Sequence, residues 1–312
     1  MEFRARHRPT ESVRRVNGPS SASGQAVRLL GPAEIRDLAE MLGLQPTKKL
    51  GQNFVIDANT VRRIVRIAGV ASGMTVVEIG PGLGSLTLGL LEAEASVIAV
   101  EIDNRLAGQL PHTVAAAASS MGSGTGPSLT VITADAMTIT ALDPMPAVLV
   151  ANLPYNVSVP VLLHFLEHFA SLRTGVVMVQ SEVGQRLAAG PGSKIYGSPS
   201  AKAAWYGDFR LAGNVSRQVF WPVPNVDSVL VAFERHEQPG TEAERLATFA
   251  LIDAAFQQRR KMLRQALSVV LGDSATASTR IEAAGVAPTA RGEELTVLDF
   301  LRIARASGGT ES

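Results

Sequence analysis

From residue 75 onward, short runs of β-branched and apolar residues alternate with helical patterns. Residues 75–79, 96–102, 129–133, 147–151 and 175–180 read as strands, and two more fall near 209–215 and 228–233. Helices are expected from Ser85 to Leu91, over residues 157–169, and from the fifth strand to Leu187. Parallel strands need crossover connections, and crossovers are right-handed. The alternation therefore leads to a doubly wound, mostly parallel seven-stranded sheet with helices on both faces. The class is α/β, and in such a sheet ligands bind outside the carboxyl ends of the strands.

After about Pro239 the strand pattern stops and helical spacing takes over, through Phe249, Ile252 and Phe256 to Leu298 and Leu301. Residues 239–312 are expected to form a small all-α domain and residues 29–238 the α/β domain. Ahead of the first strand, Pro32 opens a short helix that ends at Gly43. A second helix over 59–68 turns Val61, Ile64 and Val65 inward and Arg62, Arg63 and Arg66 outward. Residues 1–28 mix Arg, Ser, Gly and Pro and read as a disordered basic tail without a secretory signal.

Composition narrows the function classes. With 46% apolar residues in 312, the chain can bury a sizeable core. It has no cysteine, which excludes disulfides, Cys-ligated zinc, iron–sulfur clusters and a Cys nucleophile. No metal site is expected. No apolar run reaches the ~18 residues that span a bilayer, so a cytoplasmic protein without a membrane partner is expected. The net charge of +1 excludes a uniformly basic nucleic-acid binder. The charge is unevenly placed, at +4 over 1–30, −5 over 31–170 and +2 over 171–312. That distribution suits a catalytic domain with RNA- or DNA-facing flanks. No long exposed apolar stripe points to an obligate dimer, and a monomer is expected.

The first strand runs into Glu78-Ile79-Gly80-Pro81-Gly82-Leu83-Gly84-Ser85 and then a helix. Glycines there permit positive φ and close approach of a ligand to the backbone. Glu101 ends the second strand 21 residues after Gly80, where a carboxylate can accept ribose hydroxyls. Asp135 ends the third strand, placed to accept an adenine amine. Together these describe a cofactor that carries adenosine, either NAD or S-adenosylmethionine. The fourth strand separates the two, because it delivers Asn152-Leu153-Pro154-Tyr155 beside the cofactor. Carbonyl acceptors plus an aromatic ring suit a bound amino group, and hydride transfer has no use for them.

These segments resemble the rRNA adenine N6,N6-dimethyltransferase family, S-adenosylmethionine-dependent enzymes of the class I methyltransferase fold. The resemblance covers roughly residues 29–305. It rests on Lys49-Leu-Gly-Gln-Asn-Phe-Val55, Glu78-Ile-Gly-Pro-Gly82, Val100-Glu-Ile-Asp103, Asp135-Ala-Met137, Asn152-Leu-Pro-Tyr155, Phe220-Trp-Pro-Val-Pro-Asn-Val-Asp-Ser228 and Gln257-Gln-Arg-Arg-Lys-Met-Leu-Arg264. Within the family, the helical tail and Arg291-Gly-Glu-Glu-Leu295 resemble the bacterial small-subunit enzyme. The resemblance implies cofactor contacts at Asn53, Val55, Gly80, Glu101, Asp135 and Asn152. It also implies two adjacent target adenosines in a hairpin loop near the 3′ end of small-subunit rRNA, presented within a pre-30S particle. Three positions depart from the family pattern: Val55 for a usual Leu, Asn225 where Lys or Arg is common, and Pro199 in the loop after the fifth strand.

On this reading Asn152 and a main-chain carbonyl of Leu153 or Pro154 accept the hydrogens of adenine N6, and no catalytic base is needed. The target base must leave its stack to reach the cofactor. Tyr155 and Phe220 are the expected stacking partners, with Pro222 and Pro224 suggesting a rigid exposed loop. Arg259, Arg260, Lys261 and Arg264, within one and a half helical turns, are expected to reach phosphates, with Lys48 and Lys49 as the opposite wall. Two other readings stay open here. One is a large-subunit rRNA adenine N6-methyltransferase of the antibiotic-resistance type. The other is an RNA- or DNA-binding assembly or transcription factor on the same scaffold.

Overall fold

The computed structural model describes residues 12–16, 27–44, 53–117, 128–154 and 156–308. The chain begins with β1 (Ser12–Val16), α1 (Pro32–Met41), β2 (Phe54–Val55), α2 (Ala58–Ile67), β3 (Thr75–Ile79), α3 (Ser85–Glu92), β4 (Ser96–Glu101) and α4 (Asn104–Ala117). It continues through β5 (Leu129–Thr133), β6 (Val148–Asn152), α5 (Ser158–His168), β7 (Thr174–Gln180), α6 (Ser181–Leu187), α7 (Ser198–Ala203), β8 (Gly207–Val215), β9 (Phe220–Trp221) and β10 (Ser228–Arg235). Five helices close it: α8 (Glu242–Gln257), α9 (Leu263–Ala266), α10 (Ser268–Leu271), α11 (Ser274–Ala283) and α12 (Val297–Gly308). All seven expected strands form, as β3 to β8 and β10, with ends shifted by no more than a residue or two.

The described residues divide into two compact units, one drawn from 1–179 and 214–228, the other from 180–213 and 229–312. In the first, the strand order is β1-β5-β4-β3-β6-β7. From β5 to β7 all pairings are parallel. The chain moves outward through β4 and β5, then returns to the other side of β3 as β6. The crevice that this reversal opens lies at the carboxyl ends of β3, β4 and β6. Val76, Val77, Glu78 and Ile79 of β3 are all buried, as a strand covered on both faces requires. Glu78 is the one charged residue among them. Helix α2 buries Val61, Ile64 and Val65, starts on the Asp57 carboxylate that accepts from the Thr60 N–H, and leaves Arg62 outward to pair with Glu92.

Two expectations about organisation are corrected. Ser12–Val16, read as part of a structureless tail, form β1 and pair antiparallel with β5. Five residues amid Arg, Ser and Gly show no useful periodicity. The strand exists because the open edge of β5 supplies its hydrogen-bond partners. The rest of 1–26 lies outside the described residues. The second compact unit also does not begin at 239. It contains α6, α7 and the neighbouring strands β8 and β10 along with the terminal helices.

Side chains far apart in sequence explain that boundary. The Tyr196 hydroxyl donates to the Leu295 carbonyl at 2.9 Å. Lys202 and Ser198 of α7 both bond Asp253 of α8. Buried Arg245 of α8 donates to the Tyr206 hydroxyl, and the Trp205 and Tyr206 rings meet Phe249 edge-on. Pro199, one of the departures from the family pattern, falls in the first turn of α7, where a missing N–H costs nothing.

Candidate active site

Gly80, Gly82 and Gly84 all have positive φ, which turns the chain sharply from β3 into α3. A Cβ on Gly82 would also lie 3.0 Å from the Phe54 ring. The turn opens a cavity whose walls include Asn53, Phe54 and Val55 from the β2 segment, Glu78 and Gly80 from the end of β3, Glu101 and Ile102 from β4, and Asn152 and Pro154 from β6. Every one of these residues belongs to the first unit.

Glu101 is 5% exposed. One carboxylate oxygen accepts from the Gly82 N–H at 3.1 Å and the other from the Asp103 N–H at 3.0 Å. These bonds fix the carboxylate at the cavity wall and leave each oxygen a further lone pair for a hydroxyl donor. Burial pushes its pKa up, against those backbone bonds. Ile102, next in line, is 68% exposed, an apolar face at the cavity rim.

Asn152 is oriented by a bond from its side-chain amide nitrogen to the Asn53 carbonyl, 2.8 Å long. A carbonyl can only accept, so the nitrogen must face Asn53 and the Oδ1 is the end left as acceptor. Leu153 is buried, and its N–H donates to the Met178 carbonyl. The Pro154 carbonyl accepts from the Val157 N–H. Asn53 and Val55 thus use their backbones to build the site: the Val55 carbonyl accepts the Ser85 hydroxyl at 2.6 Å, which ties β2 to the start of α3.

Other sequence expectations land differently. Asp135 lies two residues past the end of β5, where it is exposed, absent from the cavity wall, and caps a short 3-10 turn by accepting from the Met137 N–H. Phe220 is 1% exposed, which corrects its placement on an exposed loop. It pairs with Val55 in the two-stranded β2–β9 sheet, and that pairing turns the ring inward. The exposed stretch follows it, with Val223 and Val226 outward, and Trp221 stacks on Phe54. Arg259, Arg260 and Lys261 are not helical, because α8 ends at Gln257, and Arg264 lies apart from them in α9. Arg259 is committed within the second unit, with bonds to Glu293 at 2.7 Å and to the Lys194 carbonyl at 2.6 Å. Arg260 and Lys261 are exposed and Arg264 is half-buried. Tyr155, Lys48 and Lys49 lie outside the described residues.

Sequence reasoning missed Glu78 as a site residue. It is 1% exposed, its Oε2 accepts the Thr87 hydroxyl at 2.6 Å, and its Oε1 is buried without a partner. Its only sequence signal was an acid in the middle of an apolar strand. Among the described residues that line the cavity, Glu78 and Glu101 are the only ionisable ones. Two buried acids and no basic group would repel a pyrophosphate and fit a ligand with net positive charge. This donor set matches S-adenosylmethionine, whose sulfonium and ammonium outweigh its one carboxylate, and it disfavours NAD.

A parallel sheet with a glycine turn, a buried acid at the end of β4 and a carbonyl-rich Asn-Leu-Pro corner defines an S-adenosylmethionine-dependent methyltransferase of the class I fold, with a helical C-terminal region. Residues 43–307 match the family model described as ribosomal RNA adenine dimethylase, and the chain belongs to that family. It is 68% identical over 279 residues to a ribosomal RNA small subunit methyltransferase A of Leifsonia xyli, a match covering 89% of this chain and 98% of the relative. A protein of the same name from Thermobifida fusca is 59% identical, covering 89% and 96%. The fold is shared with a dimethyladenosine transferase from Plasmodium falciparum, with a TM-score of 0.65, 23% identity, and coverage of 80% and 95%. It is also shared with the 23S rRNA methyltransferase ErmE, with a TM-score of 0.60, 24% identity, and coverage of 82% and 99%.

Proposed function

We propose that this chain dimethylates N6 of two adjacent adenosines in a hairpin loop near the 3′ end of small-subunit rRNA, with S-adenosylmethionine as methyl donor. The observation that carries the reading is the high identity, over nearly their whole length, to relatives named for the small subunit. The large-subunit alternative rests only on a shared fold. The substrate is rRNA within a pre-30S particle, met in the cytoplasm by a monomeric enzyme. Among the described residues no helix is long and apolar enough to cross a membrane.

Bound in the cavity, S-adenosylmethionine supplies an electrophilic methyl group. Glu101 holds the ribose hydroxyls, and the Gly80 turn leaves room for the ligand against the backbone. The task of the remaining residues is the target amine, whose lone pair is delocalised into the adenine ring. Asn152 Oδ1 and the Leu153 carbonyl accept the N6 hydrogens, which returns electron density to nitrogen and stabilises the positive charge that builds there. Preorganised dipoles of this kind are worth roughly 2.7–4 kcal/mol each in comparable sites. The surplus proton leaves N6 for water. The family resemblance, not the cavity wall, gives Asp135 the adenine amine of the cofactor, and Tyr155 stacks on the extruded target base. Arg260, Lys261 and Arg264 meet phosphates of the rRNA, and Lys48 and Lys49 supply further positive charge for its backbone.

The test is incubation of labelled S-adenosylmethionine with under-methylated small subunits, followed by nucleoside analysis. Labelled N6,N6-dimethyladenosine from the small-subunit RNA is expected. Label found only in large-subunit RNA, or none, would overturn the reading.

A further inference from the structure

We propose that Glu78 is protonated in the free enzyme and releases its proton to solvent when the cationic cofactor binds, so that cofactor binding and proton release are one linked event. The inference rests on S-adenosylmethionine as the cofactor and concerns a residue to which the methyl-transfer reading gives no task.

The geometry carries it. Glu78 sits near the carboxyl end of β3, 1% exposed, on the cavity wall. Glu78 is held by Thr87 alone, whose hydroxyl bonds one oxygen and whose backbone N–H adds support, while Oε1 has no partner. A buried carboxylate held only by the neutral groups of one residue is costly to ionise. The charges around it do not help. From β4, Glu101 faces it with the same sign. From α3 it meets only Thr87, and β6 (Val148–Asn152) contains no titratable residue. No Lys, Arg or His is among the described residues that line the cavity. Burial, followed by Glu101, raises the Glu78 pKa to about 8, against the Thr87 bond.

Entry of a cation reverses the balance. S-adenosylmethionine brings a net positive charge into a space whose only charged walls, among the described residues, are acids, and that favours the ionised form of the carboxyl left without a partner. Glu101 is the weaker proton source, because each of its oxygens already accepts a backbone N–H that supports its charge. The step balances simply: the carboxyl O–H of Glu78 breaks, the proton goes to water and buffer, and the carboxylate stays behind with the cation.

The experiment is calorimetric titration of S-adenosylmethionine into the full-length protein at about pH 6.5, in PIPES and in imidazole. At that pH the ligand's α-amino group, with a pKa of about 7.7–8.0, still holds its own proton. Buffers of different ionisation enthalpy should give different binding enthalpies, corresponding to close to one proton released. Affinity should rise about tenfold per pH unit as pH increases towards 7. Glu78→Gln should bind with no proton release and a flat pH profile. If that variant fails to fold, infrared difference spectra of the parent protein give the same answer. The C=O stretch of a protonated carboxyl group should vanish when S-adenosylmethionine is added. Equal enthalpies in both buffers overturn the proposal, as does proton release that persists in Glu78→Gln. Absence of any binding would overturn the cofactor reading, and the proposal with it.

Discussion

The side-chain amide of Asn152 donates to the backbone carbonyl of Asn53 across 99 positions of sequence. The bond joins the end of β6 to the β2 segment and decides which end of the amide is the acceptor. Asn152→Ala should lower kcat by about two to three orders of magnitude, since the lost acceptor strengthens as charge develops on N6. RNA binding should persist. Asn152→Asp should be no better, because a carboxylate oxygen would then face the Asn53 carbonyl. Single-turnover kinetics separate the cases. Near-normal kcat in Asn152→Ala with weakened cofactor binding would make it a cofactor residue only.

Glu101→Ala should reduce S-adenosylmethionine affinity ten- to hundredfold, the effect of about 1.5–3 kcal/mol for a charge-assisted hydrogen bond. The Gly82 and Asp103 N–H groups lose their acceptor at the same time, so a modest fall in Tm should accompany it. Calorimetry gives the affinity. An unchanged value would remove Glu101 from the ribose site.

Gly82→Ala should impair cofactor binding through the backbone. A non-glycine residue at φ 58° costs roughly 1–2 kcal/mol. The new methyl also presses on Phe54, which stacks on Trp221. Equilibrium dialysis against labelled cofactor measures the loss. Wild-type affinity would mean that the turn tolerates a side chain.

The basic run should divide into two roles. Arg259→Ala should lower the stability of the second unit by about 1 kcal/mol, the scale of a half-exposed ion pair with one added hydrogen bond. Arg260→Glu with Lys261→Glu should leave Tm unchanged and flatten the salt dependence of RNA binding by about one unit of slope per lost phosphate contact. Equal effects from both variants in both assays would contradict the division.

Stability of the free protein should fall as pH rises from about 5 to about 8. Glu78 has a raised pKa in the folded state, about 8, so in this window the folded protein holds a proton that the unfolded chain, with a pKa near 4.5, has lost. Its contribution is complete below the unfolded value and declines by up to about 1.4 kcal/mol per pH unit until it is gone above the folded one. Denaturant titrations across the range measure the slope. Glu78→Gln should flatten it, and a slope unchanged by that substitution would place the linked proton elsewhere.

The seven sheet strands, the glycine turn and the acid at the end of β4 were legible from residues 75–235, because a period of two or 3.6 and a cluster of glycines are local signals that chain physics reads within ten residues. The Asn152 corner was legible as a set of acceptors, but the direction of its amide was not. That depends on a carbonyl 99 residues away. Distance in sequence hid the rest in the same way. Ser12–Val16 became a strand because β5 had an open edge. Phe220 turned inward because it pairs with Val55. Arg259 was withdrawn from the basic surface by Glu293 and Lys194. Glu78 stood in plain view as an acid within a strand, yet its protonation depends on what surrounds it in three dimensions: Thr87 on one oxygen, nothing on the other, and a second acid across the cavity. Composition and period determine which elements form. Which polar groups are left without partners, and therefore where charge or a ligand is wanted, is settled only when distant segments meet and water is excluded between them.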